Sequence, residues 1–231
     1  TRVRADDVRR HIEESYRHLR IGNPHFFVEG LPSTLHWRLF PEFRHSIAYL
    51  DIETTGLAPP QDKITTIALY DGRRILYYVS GQNLEQFARD IQSYRVLVTY
   101  NGKCFDVPFI EKSLGIRLEQ AHLDLRYILR SLGYKGGLKG CERQLDVQRP
   151  GLEDVDGYFA VLLWQEYKRR RNEKALETLL CYNIHDVVNL ESLLVKAYNL
   201  KIKDSPFEQT HRVNLPLAPE IPFRADAELI E

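Results

Sequence analysis

Ile47-Ala48-Tyr49-Leu50-Asp51-Ile52-Glu53-Thr54-Thr55-Gly56-Leu57 is the stretch on which the reading of this chain turns. Residues 47–51 are short and apolar, as expected of a buried central strand. Asp51 and Glu53 are two positions apart, and side chains at that spacing point to one face of a strand. Two like charges side by side repel unless something cationic sits between them. Hard carboxylate oxygens suit Mg²⁺ or Mn²⁺, and the open ends of strands in α/β sheets are where ligands bind. Taken alone, the pair is also what a solvated strand end looks like.

Working outward, residues 64–70 and 74–79 flank Asp71-Gly72, a hairpin signal in which both turn positions are expected at positive φ. Residues 83–94 suit a helix and 95–100 another buried strand. Helical spacing follows at 106–115, 125–132, 137–145 and 156–171. The last strong helix covers about 172–200, with Leu176, Leu179, Leu180, Val187, Leu190 and Leu194 on its apolar face. Upstream, Val8, Ile12, Tyr16 and Leu19 give residues 5–20 an amphipathic helical pattern. Pro24, Pro32 and Pro41 interrupt residues 22–45, where Phe26, Phe27, Trp37, Phe40 and Phe43 supply anchors for an ordered arm. Residues 204–231 hold four prolines and read as an extended tail. The order of elements predicts an α/β sandwich on a mixed sheet.

Two more segments carry acids. Asn101-Gly102-Lys103-Cys104-Phe105-Asp106 follows a strand and opens a helix, and Asp106 stands where a helix N-cap would stand. Tyr182-Asn183-Ile184-His185-Asp186 lies inside the last helix, where Tyr182 and Asp186 share a face one turn apart. Val187, Leu190 and Leu194 bring Asp186 close to the buried side, and a carboxylate there needs a partner. Together Asp51, Glu53, Asp106 and Asp186 make four carboxylates, enough for a two-metal phosphodiesterase site.

The chain has 231 residues, 32 basic and 32 acidic, for a formal net charge of zero. That argues against holding a long duplex by bulk charge, since each phosphate contact needs a cation. Charged residues at 28% and hydrophobic residues at 43% fit an ordinary globular protein. With no apolar run of about 18 residues, no membrane-spanning helix is expected. No charged-then-apolar leader is visible. Cys104, Cys141 and Cys181 match no zinc or redox spacing, so a reducing, cytoplasmic setting is expected. The run Lys168-Arg169-Arg170-Arg171 reads as a solvated helix end, with Lys139 and Arg149 treated alike. Asp124 reads as a helix N-cap, with a role in supporting the site residues as the alternative.

Asp51-x-Glu53-Thr54-Thr55-Gly56-Leu57, Asn101-x-x-x-Phe105-Asp106 and Tyr182-x-x-x-Asp186 resemble, in this order, the three motifs of the DEDD superfamily of 3′–5′ exonucleases. The third motif has the Tyr form, the DEDDy type; the His form would need a histidine where Cys181 stands. Leu31-Pro32, Trp37-Arg38-Leu39-Phe40, Gly137-Leu138-Lys139, Glu142, Gly157 and Tyr182-Asn183 further resemble the YprB-like ribonuclease H-like domain, a bacterial group of predicted exonucleases. The resemblance covers about residues 26–200.

The resemblance implies a ribonuclease H-like, mixed five-stranded sheet of order 3-2-1-4-5 with strand 2 antiparallel, flanked by helices. Residues 46–200 would form the exonuclease domain, 1–45 an N-terminal helix and arm, and 201–231 the tail. Two divalent cations, Mg²⁺ or Mn²⁺, are implied. Asp51 would bridge both, Glu53 and Asp186 would complete one, and Asp106 would serve the other. Tyr182 would orient the attacking water. Thr54, Thr55 and Leu57 would touch the terminal nucleotide, while Asn101 and Lys103 would position the motif or a phosphate. Phe105 would either stack a base or pack beside the strand.

The function expected is removal of nucleotides, as 5′-monophosphates, from the 3′ end of single-stranded DNA or RNA, with DNA favoured. A non-catalytic nucleic-acid-binding or scaffold domain on the same fold is the alternative, and an RNA-acting or structure-selective nuclease is a third reading.

Overall fold

The computed structural model describes residues 5–57, 59, 61–152 and 155–230. Five strands, β1 (Ile47–Thr54), β2 (Ile64–Tyr70), β3 (Ile75–Val79), β4 (Val96–Thr99) and β5 (Ala121–Asp124), form one sheet in the order β3-β2-β1-β4-β5. Pairing is antiparallel between β1 and β2 and between β2 and β3. It is parallel between β1 and β4 and between β4 and β5, so β2 alone runs against the rest. This is the mixed five-stranded ribonuclease H-like sheet that the resemblance implies.

Helices α1 (Ala5–Arg20), α2 (His25–Gly30) and α3 (Phe40–Phe43) precede the sheet. Between β3 and β4 lies α4 (Phe87–Asp90), extended at both ends by 3₁₀ turns, and between β4 and β5 lies α5 (Asp106–Leu114). After the sheet come α6 (Leu125–Arg130), α7 (Gly137–Gln144), α8 (Gly157–Arg170) and α9 (Glu173–Ile202), then the single-turn helices α10 (Glu208–His211) and α11 (Ala227–Ile230). Among the described residues no helix is long and apolar enough to cross a membrane.

The alternation of β1 sets the site. Ala48, Leu50 and Ile52 pack with Phe87, Ile91, Phe109 and Ile110 on one face of the sheet. Ile47 and Tyr49 pack with Val187, Leu190 and Leu194 of α9 on the other. A strand has a side-chain period of two, so Asp51 and Glu53 continue the α9 face. Their partners on β2 are the small residues Ala68 and Thr66, which leave room above the carboxylates. α9 is buried around most of its circumference because the sheet, α8 and the arm enclose it. Emptying one such position, as in Leu194→Ala, is expected to cost about 2–5 kcal/mol.

Several local expectations are corrected. The hairpin forms, but its turn residues are Gly72 and Arg73: Asp71 N–H bonds Arg74 O, Gly72 has φ +85°, and Asp71 keeps negative φ. Asp71 instead accepts from the Arg73 and Arg74 amides with Oδ1, which fixes the loop without a left-handed Asp. β5 carries no alternation strong enough to read from its four residues and is held by its pairing to β4. The apolar face of α1 is left open, with Val8 47%, Ile12 51% and Tyr16 63% exposed. The arm packs on α9 through Trp37 and Phe40, whose rings lie 5.7 and 5.9 Å from that of Tyr198. The tail docks Phe223 against Tyr77 at 5.0 Å and lies against the core through Ile221 and Phe223.

Candidate active site

Carboxylate oxygens of Asp51, Glu53 and Asp186 all lie within 4.8 Å of one another. Two come from β1 and one from α9, as the strand alternation requires. All three groups have their pKa raised, and burial is the first cause in each. For Asp51 and Glu53 the next causes are the negative charges of Asp186 and Asp106. Such a cluster of hard oxygen donors, crowded and desolvated, is chemically suited to a divalent cation. The donor set therefore fits the metal that the fold implies.

Asp106 stands slightly apart. It opens α5, where its Oδ1 accepts from Ile52 N–H at 3.2 Å. That bond ties the end of β1 to the start of α5 and keeps the carboxylate beside the trio. Burial pushes its pKa up to about 7, against the pull of two backbone donors.

Neighbours fix the orientation of the acids. Asn183, fully buried on α9, donates from Nδ2 to Asp51 Oδ2 at 2.7 Å and accepts from Thr66 Oγ1 at 3.0 Å. A single amide thus fixes the Asp51 rotamer through both its ends. Tyr182, only 4% exposed, lies beneath two cations: Lys139 Nζ is 4.6 Å from its ring centroid and the Arg149 guanidinium carbon 5.6 Å. Burial, then Asp186, Glu53 and Asp51, hold its phenol well above the usual tyrosine range.

Arg149 corrects the reading of it as a solvated cation. It is 5% exposed and forms a two-pronged pair with Glu142, Nε to Oε2 at 3.0 Å and Nη2 to Oε1 at 2.7 Å. The same Nη2 donates to Asp186 Oδ1, and Asn189 Nδ2 donates to Glu142 Oε1 at 2.8 Å. Arg149 Nη1 and Lys139 Nζ are buried without a hydrogen-bond partner among the described residues. Periodicity had no means of finding this, because the loop that carries Arg149 has no repeat of its own. Glu142 was visible only through the family resemblance.

The remaining candidates lie at the end of β1 and on the segments that follow β1 and β4. Thr54 is buried and its Oγ1 donates to Gly56 O at 2.5 Å. Thr55 Oγ1 accepts from Lys63 N–H at 3.0 Å and donates to Asp62. Leu57 is 82% exposed at the head of this turn. Asn101 takes φ +67°, and its N–H and that of Lys103 donate to the two oxygens of Asp124 at 2.8 and 3.1 Å. Asp124 also caps α6 through Arg126 N–H, so the N-cap reading is correct and incomplete. A Cβ on Gly102 would overlap the Thr99 side chain, which reserves that position for glycine. Phe105 is half-buried with its ring 5.6 Å from that of Phe109. Lys103 is exposed.

The RNase_H superfamily profile matches residues 48–198. The protein of Bacillus subtilis (strain 168) described as "Uncharacterized protein YprB" is 27% identical over 192 residues, covering 73% of this chain. The chain spans 46% of the length of that relative. The family B DNA polymerase from the hyperthermophilic archaeon Pyrobaculum calidifontis is similar in structure, with TM-score 0.52 and 17% identity over 73% of this chain and 27% of the polymerase. At that identity the likeness concerns the fold.

Proposed function

The chain belongs to the RNase_H superfamily, and from that premise we propose that it is a divalent-metal-dependent 3′–5′ exonuclease of the DEDDy type. Its substrate is the 3′ end of single-stranded nucleic acid, with DNA favoured, and its product a nucleoside 5′-monophosphate. The observation that carries the reading is the convergence of Asp51, Glu53 and Asp186 within 4.8 Å at the end of the central strand.

Asp51, Glu53, Asp106 and Asp186 would hold two Mg²⁺ or Mn²⁺ ions. When bound, such ions neutralise charge on the scissile phosphate and lower the pKa of the attacking water. The chain's own residues do the rest. Asn183 keeps Asp51 in its rotamer. Lys139 Nζ and Arg149 Nη1, buried and without a hydrogen-bond partner among the described residues, offer donors to a phosphate. Tyr182 keeps its proton at neutral pH, since its phenol lies well above the usual range, and it orients water rather than accepting a proton from it. Thr54, Thr55, Leu57, Asn101, Lys103 and Phe105 contact the terminal nucleotide in this reading. In this reading residues 46–200 are the catalytic domain, 1–45 an N-terminal helix and arm, and 201–231 a tail. The free thiols of Cys104, Cys141 and Cys181 accord with a reducing, cytoplasmic setting.

One observation favours a non-catalytic nucleic-acid-binding domain instead: Arg149 already occupies an oxygen of Asp186. Titration calorimetry with Mn²⁺ separates the two readings, because a non-catalytic domain takes up no ion at this cluster. The decisive test is digestion of 5′-labelled single strands with Mn²⁺. Wild-type protein is expected to shorten strands with a free 3′ end and spare those with a blocked one. Asp51→Asn should reduce the rate by about 10³-fold or more. Cleavage of a closed circular single strand would overturn the exonuclease reading.

A further inference from the structure

A groove of about 580 Å³ opens at the same end of the sheet as the acidic cluster. Its walls include Tyr100, Asn101, Arg126, Arg130, Tyr134 and Lys135. Tyr100 and Asn101 follow β4, and the β1–β4 register sets Val98 beside Tyr49, two residues before Asp51. From Gly137, at the groove, α7 leads within one turn to Lys139, whose ammonium lies over the Tyr182 ring. β4 and α7 thus link the groove to the acids.

Its charge is one-sided. Arg126 and Arg130 are four apart on α6, share a face and are exposed. Lys135 is exposed on the loop that follows. Among the described residues none of the three has an ion pair, and no carboxylate lines the groove. In a chain with equal numbers of acids and bases, three unpaired cations in an acid-free channel form a local positive field. Arg126 is aimed by its bond to Asn101 Oδ1. Tyr100 and Tyr134 are half-buried, and the Tyr100 hydroxyl is tethered to Cys141 Sγ at 3.7 Å. A fixed aromatic ring beside cations is a combination that suits a nucleotide chain.

We infer that this groove holds the phosphodiester backbone of a single strand just upstream of its terminal nucleotide. The inference rests on the acidic cluster being a nuclease site. Arg126, Arg130 and Lys135 neutralise successive phosphates, and the two tyrosines offer faces to one or two bases. Three cations set a short footprint. Each phosphate contact on a single strand contributes about 0.7 to the slope of log affinity against log salt, so the groove alone should contribute about −2.

The test is fluorescence anisotropy with labelled dodecanucleotides of DNA and of RNA, in EDTA so that no cleavage occurs, across a range of NaCl. Wild-type protein should show a slope of about −2 or steeper. Arg130→Ala with Lys135→Ala should make it shallower by about 1.4 and weaken binding about tenfold or more at low salt. Arg130→Lys should keep the slope, and a thermal melt shows whether each variant is folded. Equal slopes in wild type and the folded double variant, or absence of wild-type binding, would overturn the inference. A preference between the two oligonucleotides identifies the sugar that the groove accepts. Hydrolysis in Mn²⁺ is read separately. Salt-dependent binding without hydrolysis refutes the nuclease reading and leaves the groove a binding site, while hydrolysis with unchanged slopes refutes the groove alone.

Discussion

Two buried acidic sites lie along α9, and they are built differently. At one, Glu191 is 2% exposed and bonded to Arg44 at 2.7 Å; its charge helps push Tyr70 up to about 12, after burial. One acid meets one cation. At the other, five residues earlier on α9, Asp186 meets Asp51 and Glu53 within 4.8 Å, with Asp106 beside them. Arg149 is shared there between Asp186 and Glu142, and Lys139 makes no ion pair among the described residues. Carboxylates outnumber the cations that touch them. The first arrangement closes its own charge and serves the fold. The second leaves negative charge uncompensated, which costs stability unless a ligand supplies the missing positive charge.

Arg149 is the strongest point at which to break that contrast. Arg149→Met would leave Glu142 and Asp186 buried with no cation between them. Removing one partner from a buried ionic network typically costs about 3–5 kcal/mol. Urea unfolding should show a loss of that size in metal-free protein. A change under 1 kcal/mol would mean that the guanidinium only fills space.

A second contrast is in pH. Asp51, Glu53 and Asp106 have raised pKa values in the folded chain, Asp106 to about 7. Between the ordinary carboxylate range and about pH 7, the folded state therefore binds more protons than the unfolded state. Their stabilising contribution is full below the unfolded pKa and is lost as pH rises through the folded one. For Asp106 alone, moving from near 4 to about 7 corresponds to about 4 kcal/mol as an upper figure. Metal-free protein should lose stability from pH 5 to pH 8, and saturating Mn²⁺ should remove most of that loss by keeping the carboxylates ionised. Parallel melts across pH, with and without Mn²⁺, read this directly. Identical curves would show that no ion enters the cluster.

Tyr182 sharpens the comparison further. Tyr182→Phe preserves the ring that lies under Lys139 and Arg149 and removes only the hydroxyl. If the hydroxyl orients water, single-turnover rates at saturating Mn²⁺ should fall by about 10- to 1000-fold, with Mn²⁺ affinity nearly unchanged. A rate within about twofold of wild type would reduce Tyr182 to a core aromatic.

Much of the architecture was legible because it follows from local pattern. Residues 47–54 alternate on a period of two, so the face carrying Tyr49 also had to carry Asp51 and Glu53. α9 was legible from its apolar run, and the pairing of Tyr182 with Asp186 from helical spacing. What stayed hidden depends on loops and on long-range contacts. Arg149 sits on an aperiodic loop and reaches Asp186 only after α8 and α9 have folded back. Asn183 looked like one polar position in an apolar helix, yet it fixes Asp51 across 132 residues of sequence. The turn at Gly72-Arg73 departed from expectation because Asp71 caps the loop through its side chain, which dipeptide statistics do not encode.

The smallest effect is expected at the balanced site. Glu191→Gln keeps the shape of the side chain and most of its hydrogen-bonding capacity, so Arg44 loses a charge partner but not its acceptor oxygen. Arg44 is 40% exposed in its side chain, so water takes up part of its charge and the full cost of a stranded buried cation does not arise. Replacing the carboxylate should cost about 1–2 kcal/mol. A double-mutant cycle with Arg44→Met isolates the pair, and its coupling energy should be about 1 kcal/mol. Neither variant should alter Mn²⁺ affinity, because both residues lie away from the three-acid cluster. If Glu191→Gln weakened Mn²⁺ binding as strongly as Asp51→Asn, the two sites would form one electrostatic unit, and the distinction between a closed charge pair and an open acidic cluster would fail.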